Sequence, residues 1–215
     1  MMRMSAFLLA PLLAFTVPAL AQDATGPEPT AAPKTELVVI ETALGPITVA
    51  LEVERAPISA NNFLRYADEK RLDGTVFYRV MKLNWGEQPN GVIQGGAQWD
   101  PKRILPPIAH EPTDVTGVTH KRGAISMARL DPGTATGDFS ILLSDIEGFD
   151  ADPSSTVPEL KAGYAAFGYV VSGMEVVEAI YNVPRDPDKG EGYMKGEMIA
   201  QPIAITRVRR ATPAQ

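Results

Sequence analysis

Apolar and polar residues alternate with a period of two over several short stretches of the chain. Between positions 47 and 53 every second residue is aliphatic, and the stretch 37–42 is rich in branched residues. Two such runs on either side of the Gly45–Pro46 break predict a β-hairpin. Similar patterns predict further strands at 75–80, 92–94, 123–128, 139–143, 165–171 and 203–208. Short strands separated by Gly and Pro favour a barrel or a sandwich.

Two other segments have apolar residues at helical spacing. In residues 57–70, Pro57 occupies the first turn, where its missing N–H costs least, and apolar residues recur three or four positions apart. Residues 174–181 show the same spacing with Met174, Val177 and Ile180 on one side. The pattern therefore predicts a β-rich domain with two helices. Long connections, of the kind that often bind ligands, are predicted at 79–92, 97–122, 146–163 and 182–201.

The N-terminal residues have the pattern of a secretory signal peptide. Arg3 precedes an apolar run at 6–20 that contains two prolines and ends in the small-residue pattern Ala19–Leu20–Ala21. We expect cleavage after Ala21 and export, to the periplasm or outside the cell. Residues 22–35 contain three prolines and little that could be buried, which predicts a disordered lead-in. The expected organisation is a signal peptide at 1–21, the lead-in at 22–35, one domain at 36–210 and a tail at 211–215.

Charge and cysteine content exclude several classes of function. The chain has 20 basic and 26 acidic residues, and removing Arg3 with the signal peptide leaves a net charge of −7. An acidic chain without a basic tract is a poor candidate for binding nucleic acid, which depends on neutralising phosphates. Cysteine is absent, which excludes disulfides, thiol nucleophiles and cysteine metal sites. After signal cleavage no stretch is long enough to predict a membrane span.

Four short motifs bear a family resemblance. They are Phe77–Tyr78–Arg79, Gln94–Gly95–Gly96, the segment 123–129 and Phe167–Gly168. Together they resemble the cyclophilin family of peptidyl-prolyl isomerases. The resemblance implies a closed eight-stranded antiparallel β-barrel capped by two α-helices, and an enzyme that needs no cofactor or metal. The ending Ser–Met–Ala–Arg of segment 123–129, together with Tyr164, is similar to the bacterial exported branch.

The resemblance also implies a set of site residues. Arg79 would be the catalytic donor, because a guanidinium keeps its proton at any ordinary pH. Gln94 would orient it or bond the substrate backbone. The partners would be proline-containing unfolded or flexible polypeptides, bound by a monomer. The implied substrate-binding residues are Tyr78, Val92, Ala128, Arg129, Ser140, Phe149 and Tyr164.

Several positions depart from the family pattern. Tyr78 stands where the family usually has His, and an insertion at 82–91 precedes Gln94, with Trp85 as a candidate for the missing aromatic wall. Ser140 occupies the position of a phenylalanine that forms the floor of the proline pocket, and Phe149 lies near an expected tryptophan. An aromatic ring buries about 150–250 Å². We therefore expect weaker proline binding and an isomerase of reduced or narrowed activity.

Two other functions and two metal hypotheses compete with this interpretation. The same fold could bind proline-containing segments as a module or chaperone without useful turnover, and a hollow barrel could carry a small ligand. His110 and His120 lack a third ligand in a recognised spacing, so no metal is expected there. Asp186, Asp188 and Glu197 fit part of a calcium-loop pattern, but Gly190 and Glu191 break it, which favours a solvated acidic loop.

Overall fold

The computed structural model of this protein describes residues 32–211. The predicted signal peptide, the lead-in before residue 32 and the tail beyond Ala211 lie outside the described residues. Within 32–211, no helix is both long enough and apolar enough to cross a membrane.

Eight antiparallel strands close into a barrel in the order β1, β2, β7, β5, β6, β4, β3, β8. This confirms the predicted closed eight-stranded barrel, and every predicted strand is present. The largest difference from prediction is β8, which is longer at both ends. The bounds are β1 Glu36–Thr42, β2 Gly45–Leu51, β3 Thr75–Lys82, β4 Gly91–Gly96, β5 Ala124–Met127, β6 Phe139–Leu142, β7 Ala165–Ser172 and β8 Met198–Arg210.

The two predicted helices are α1, Pro57–Asp68, and α4, Met174–Tyr181. The predicted long loops also contain α2, Thr113–Thr116, and α3, Pro158–Ala162, together with 3-10 turns at Glu147–Phe149 and Gly192–Met194. The sequence did not predict these elements, because a single helical turn is too short to show apolar periodicity.

Helix α1 begins at Pro57 without a capping side chain from Ala56. Instead, the carboxylate of Glu111 accepts hydrogen bonds from the backbone N–H groups of Ile58, at 3.0 Å, and Ser59, at 2.8 Å. A carboxylate at this end satisfies free N–H groups and complements the helix dipole. The loop that carries Glu111 is thereby attached to α1.

Aromatic and aliphatic side chains fill the barrel interior. The ring of Phe63 on α1 lies 5.2 Å from that of Phe139 and 5.6 Å from that of Phe167. Phe77 lies 5.7 Å from Phe139, edge to face, and all four residues are buried. Because these rings occupy the space that a carried ligand would need, the structure does not support a ligand-carrying barrel.

The hairpin of β3 and β4 keeps Arg79 opposite Gln94 in spite of the insertion between them. The extra residues lie in the hairpin loop beyond the last pair, Lys82 and Gly91, so they leave the pairing unchanged. Gly91 has φ +139°, and a Cβ there would lie 2.0 Å from the Met81 carbonyl oxygen, so only glycine fits.

A β-bulge at Tyr78 determines which side chains of β3 leave the core. The register shifts between Phe77 and Arg79 against both neighbouring strands. Side chains normally alternate across a strand, and a bulge inserts one extra residue. Phe77 therefore points into the core, whereas the next two residues, Tyr78 and Arg79, both reach cavities on the outside of the barrel.

Candidate functional site

Two adjoining cavities lie over strands β3 to β6. We call the first, of about 210 Å³, the arginine cavity, because Arg79 lines it together with Ser140, Phe149 and Tyr164. The second, of about 230 Å³, is the aspartate cavity, which is lined by Asp138, Tyr78 and Trp99 among others. The two cavities share Gln94, Ala128, Arg129 and Tyr193 as their common wall.

The structure brings all nine residues predicted for the site to these cavities. Five of them line the arginine cavity alone, one lines the aspartate cavity alone, and three lie in the common wall. In that order they are Arg79, Val92, Ser140, Phe149 and Tyr164; Tyr78; and Gln94, Ala128 and Arg129. They come from strands β3, β4 and β6, from the segment that follows β5 and from the loop between β6 and β7, so the closed barrel is what assembles them.

The guanidinium of Arg79 is held on two sides. Its Nε and Nη2 lie 2.8 and 2.7 Å from Oε2 of Glu197, and its Nη1 donates to Oε1 of Gln94 at 2.8 Å. The Tyr193 ring centroid lies 5.4 Å from the guanidinium carbon, which adds a cation–π contact. With a side chain only 12% exposed, Arg79 is fixed at the cavity wall rather than free in solvent.

Gln94 connects the two cavities through hydrogen bonds. Its Oε1 accepts from Arg79, and its Nε2 donates to the hydroxyl oxygen of Tyr78 at 2.8 Å. Burial raises the pKa of Tyr78, so this hydroxyl stays protonated. Both ends of the Gln94 amide therefore have hydrogen-bond partners, one in each cavity.

The floor and far wall of the arginine cavity combine small and aromatic residues. Ser140, on β6, lies between Gln94 and Ser126 on the neighbouring strands. The rings of Phe149 and Tyr164 lie 4.9 Å apart, and the guanidinium carbon of Arg129 lies 4.6 Å from the Tyr164 ring centroid. A proline ring in this cavity would meet aromatic groups at its side and a hydroxyl at its floor.

Trp85 does not supply the missing aromatic wall. It lies in the hairpin loop, is 59% exposed and lines neither cavity. Its carbonyl oxygen accepts a hydrogen bond from the side chain of Asn90, so the loop is held by a contact between two of its own residues. The insertion lies at the turn of β3 and β4, beyond the residues that face the cavity.

A hydrogen-bonded chain supports the floor of the arginine cavity. His120 Nε2 lies 2.8 Å from the Ser126 hydroxyl, and His120 Nδ1 lies 2.7 Å from Oδ1 of Asp150. Burial lowers the pKa of His120, which favours the neutral ring with Asp150 accepting from Nδ1–H. Ser126 lies within β5, which pairs with β6 on one side and β7 on the other.

Asp138 is a buried carboxylate at the aspartate cavity. The residue is 6% exposed, and its Oδ1 accepts from the backbone N–H of Gln98 at 2.9 Å. Burial raises its pKa to about 6. Gly96 makes room for it, since a Cβ there would lie 2.5 Å from Oδ1. Within 32–211, no Lys or Arg forms an ion pair with Asp138.

The site prediction missed Glu197, Tyr193 and Asp138. In the sequence, Glu197 was considered only as part of a calcium-loop pattern, whereas in the structure its carboxylate binds Arg79. Tyr193 comes from the same long loop, whose length was the only signal that it could contribute. Asp138 directly precedes the predicted strand at 139–143, and alternation with the core residue Phe139 is the signal that could have found it on the outward side.

Both the sequence and the fold of this chain are similar to those of known proteins. The family described as "Cyclophilin type peptidyl-prolyl cis-trans isomerase/CLD" matches residues 37–209. The peptidyl-prolyl cis-trans isomerase of Acinetobacter baylyi is 38% identical over 69% of this chain and 73% of its own. Peptidyl-prolyl cis-trans isomerase A of Dickeya dadantii is 34% identical over 80% and 84%. The crystal structure of a Cryptosporidium parvum cyclophilin type isomerase covers 84% of this chain and all of its own, with a TM-score of 0.62 at 22% identity.

Proposed function

Because this chain belongs to the cyclophilin-type peptidyl-prolyl cis-trans isomerases, we propose that Arg79 accelerates rotation by donating to the prolyl nitrogen. Rotation about an X–Pro bond faces a barrier of about 18–20 kcal/mol, because resonance delocalises the nitrogen lone pair into the amide. Twisting the amide returns that lone pair to the nitrogen. A donor aimed at the nitrogen therefore stabilises the twisted state more than either planar state, which raises the rate.

The fixed guanidinium of Arg79 is the observation that carries this proposal. An arginine has five N–H donors, of which one at Nε donates to Glu197 and one at Nη1 donates to Gln94, while Nη2 lies 2.7 Å from the Glu197 carboxylate. One N–H on each terminal nitrogen has no partner among residues 32–211, while the side chain lines the arginine cavity. Because the group is already oriented, no reorganisation is needed when the substrate twists. Glu197 is thus a positioning residue that acts through Arg79.

The substrate class is a polypeptide with an accessible proline. In support, the Cryptosporidium parvum relative was also crystallised in the presence of the dipeptide Ala-Pro. In this chain the proline ring would contact Phe149, Tyr164 and Val92 at the cavity side. Ser140 gives the floor less apolar surface than a phenylalanine would. We expect measurable turnover with weak binding of proline.

The test is proline exchange in a blocked Ala–Ala–Pro–Ala peptide, measured by NMR with purified residues 22–215. Arg79→Ala should lower kcat/KM about 10²- to 10³-fold, the usual effect of removing one preorganised donor. Arg55→Ala is the matched control, because Arg55 pairs with Glu52 through its Nε and Nη2, as Arg79 does with Glu197, and lines neither cavity.

A double variant separates loss of the donor from the effect of an orphaned carboxylate. Arg79→Ala alone leaves Glu197 without its cation, which could disturb the loop at 182–201. The loss should persist when Arg79→Ala is combined with Glu197→Ala. Exchange rates for Arg79→Ala within threefold of the unmodified chain would refute the role of this donor.

A binding module without useful turnover is the second candidate. It is favoured by Ser140 at the cavity floor and by the Glu197 carboxylate, which neutralises the charge of Arg79. A module would show chemical-shift changes around both cavities on peptide titration, with no enhancement of exchange. The same titration therefore separates the two functions.

The setting we propose is the folding of exported proteins in the periplasm. It is supported by the signal-peptide pattern at 1–21 and by the Ser–Met–Ala–Arg ending that is similar to the exported bacterial branch. Expression of the full chain in a Gram-negative host, followed by fractionation and N-terminal sequencing, tests it. The expected product is periplasmic and begins at Gln22, whereas an uncleaved cytoplasmic chain would refute the assignment.

A further inference from the structure

We propose that the aspartate cavity binds a lysine or arginine side chain of the substrate, two residues away from the proline in the arginine cavity. The inference rests on the proposed function, since it concerns the polypeptide that this function acts on. It assigns a charge preference to this isomerase, with Asp138 as the residue that determines specificity.

Asp138 provides the charge complementarity. One of its oxygens accepts from the Gln98 backbone, while no Lys or Arg in the described part of the chain pairs with the carboxylate. A buried carboxylate without a cation is unfavourable, which is the condition that an incoming cation relieves. The fixed Tyr78 hydroxyl and the Thr136 side chain also line this cavity and offer polar contacts to a cationic head group.

The rim of the aspartate cavity suits the aliphatic part of the same side chain. Trp99, Leu130 and Tyr193 line it and are 51%, 63% and 72% exposed, and Met194 and Met198 complete the wall. Long basic side chains lay their methylene groups along apolar surface while their charge reaches a polar group. The cavity thus offers apolar contact at its mouth and a carboxylate in its interior.

The guanidinium groups near the aspartate cavity are bound to other partners. Arg129 lies in the common wall, but its Nη1 donates to the Leu130 carbonyl at 2.8 Å, its Nη2 donates to the Gly163 carbonyl, and its guanidinium stacks over Tyr164. Tyr164 lines only the arginine cavity. The charge of Arg79 is paired with Glu197. Among residues 32–211, neither guanidinium therefore pairs with Asp138.

The spacing of two residues follows from the shared wall. In an extended chain, neighbouring side chains point to opposite sides, and residues i and i+2 point to the same side. Two cavities that adjoin through Gln94, Ala128, Arg129 and Tyr193 would accept side chains from the same side of the substrate. A proline in one cavity therefore leaves the residue two positions before or after it for the other.

Two series of blocked peptides, Xaa–Ala–Pro–Ala and Ala–Pro–Ala–Xaa, test the proposal, with lysine, norleucine or glutamate as Xaa. Norleucine keeps the aliphatic chain of lysine without its charge. NMR gives both kcat/KM from exchange and Kd from titration at pH 7.5. In one series the lysine peptide should have a kcat/KM about tenfold higher and a Kd about tenfold lower than the norleucine peptide, with glutamate the weakest, as expected for one charge-assisted contact.

Asp138→Asn should bring the ratio of lysine to norleucine close to one. Asp114→Asn, which removes the same charge from an exposed position outside both cavities, should keep the ratio. A ratio near one for the unmodified chain in both series, or an unchanged ratio in Asp138→Asn, would overturn the proposal. If the chain shows no turnover, the proposed function fails, and the Kd ratio still decides whether the aspartate cavity selects a cation.

Discussion

Replacing Asp138 with asparagine should stabilise the folded chain at neutral pH and leave its stability unchanged in acid. The folded state raises the pKa of this carboxyl from 3.8 to about 6, because burial disfavours the charged form. A shift of this size corresponds to about 3 kcal/mol, at 1.36 kcal/mol per pKa unit. The backbone N–H groups of Gln98 and Ala97 favour the carboxylate but only partly offset the effect of burial.

The sign of the pH dependence follows from linkage. A carboxyl whose pKa is raised by folding binds its proton more tightly in the folded state. Its destabilising effect is therefore absent below pH 3.8, develops between pH 3.8 and about 6, and is complete above pH 6. Asparagine is neutral throughout and keeps an oxygen that can accept from Gln98. The variant should gain about 3 kcal/mol at pH 7 and almost nothing at pH 3.5.

Urea unfolding followed by tryptophan fluorescence measures this difference, since the chain has only Trp85 and Trp99. Comparing the variants at each pH cancels the effect of other titrating groups, such as His120, whose lowered pKa acts equally in both. Asp114→Asn controls for the change in net charge. A gain below about 1 kcal/mol at pH 7, or an equal gain at pH 3.5, would contradict the assignment of a buried and ionised carboxylate.

Substitutions at two positions, Glu197 and Ser140, test the arginine cavity. Glu197→Ala should lower kcat about tenfold with little change in KM. The reason is that Arg79 loses a charge-assisted contact worth about 1.5–3 kcal/mol and with it part of its orientation. Glu197→Gln can still accept a hydrogen bond from Arg79, so this variant should recover most of the rate. A rise in kcat for Glu197→Ala would show that the carboxylate restrains Arg79 instead. Ser140→Phe should lower KM about fivefold, since ~50 Å² of added apolar contact with proline contributes about 1 kcal/mol. Steady-state kinetics checks all three variants, and an unchanged KM for Ser140→Phe would argue against Ser140 as the floor of the proline site.

The local pattern of the sequence was enough to predict the secondary structure of the barrel. Alternation with a period of two and short runs of branched or apolar residues are both set by neighbouring residues, and together they identified all eight strands. Helical spacing identified α1 and α4 for the same reason. The short helices α2 and α3 were missed, because one turn contains too few residues to repeat a pattern.

The sequence motifs also identified the residues that face the cavities. Arg79 and Gln94 lie opposite each other because the insertion at 82–91 is confined to the hairpin loop. The expectation that Trp85 would line the site was wrong, since its position in that loop directs it to solvent. Because Trp85 is close to Arg79 and Gln94 in sequence, it was a candidate for the cavity wall. The register of the β3–β4 hairpin places it beyond the residues that face the cavity.

By itself, the sequence determined the strands, the order of the motifs and which arginine belongs to the Phe77–Tyr78–Arg79 motif, because each depends on residues close together in the chain. Only the tertiary structure decided what holds that arginine and what adjoins it. Glu197 meets Arg79 across 118 positions of sequence, and the bulge at Tyr78 turns two consecutive side chains toward two different cavities. The closed barrel also buries the carboxylate of Asp138, which forms no ion pair with a Lys or Arg in the described part of the chain. Such contacts depend on strand register and loop path, which no local pattern specifies.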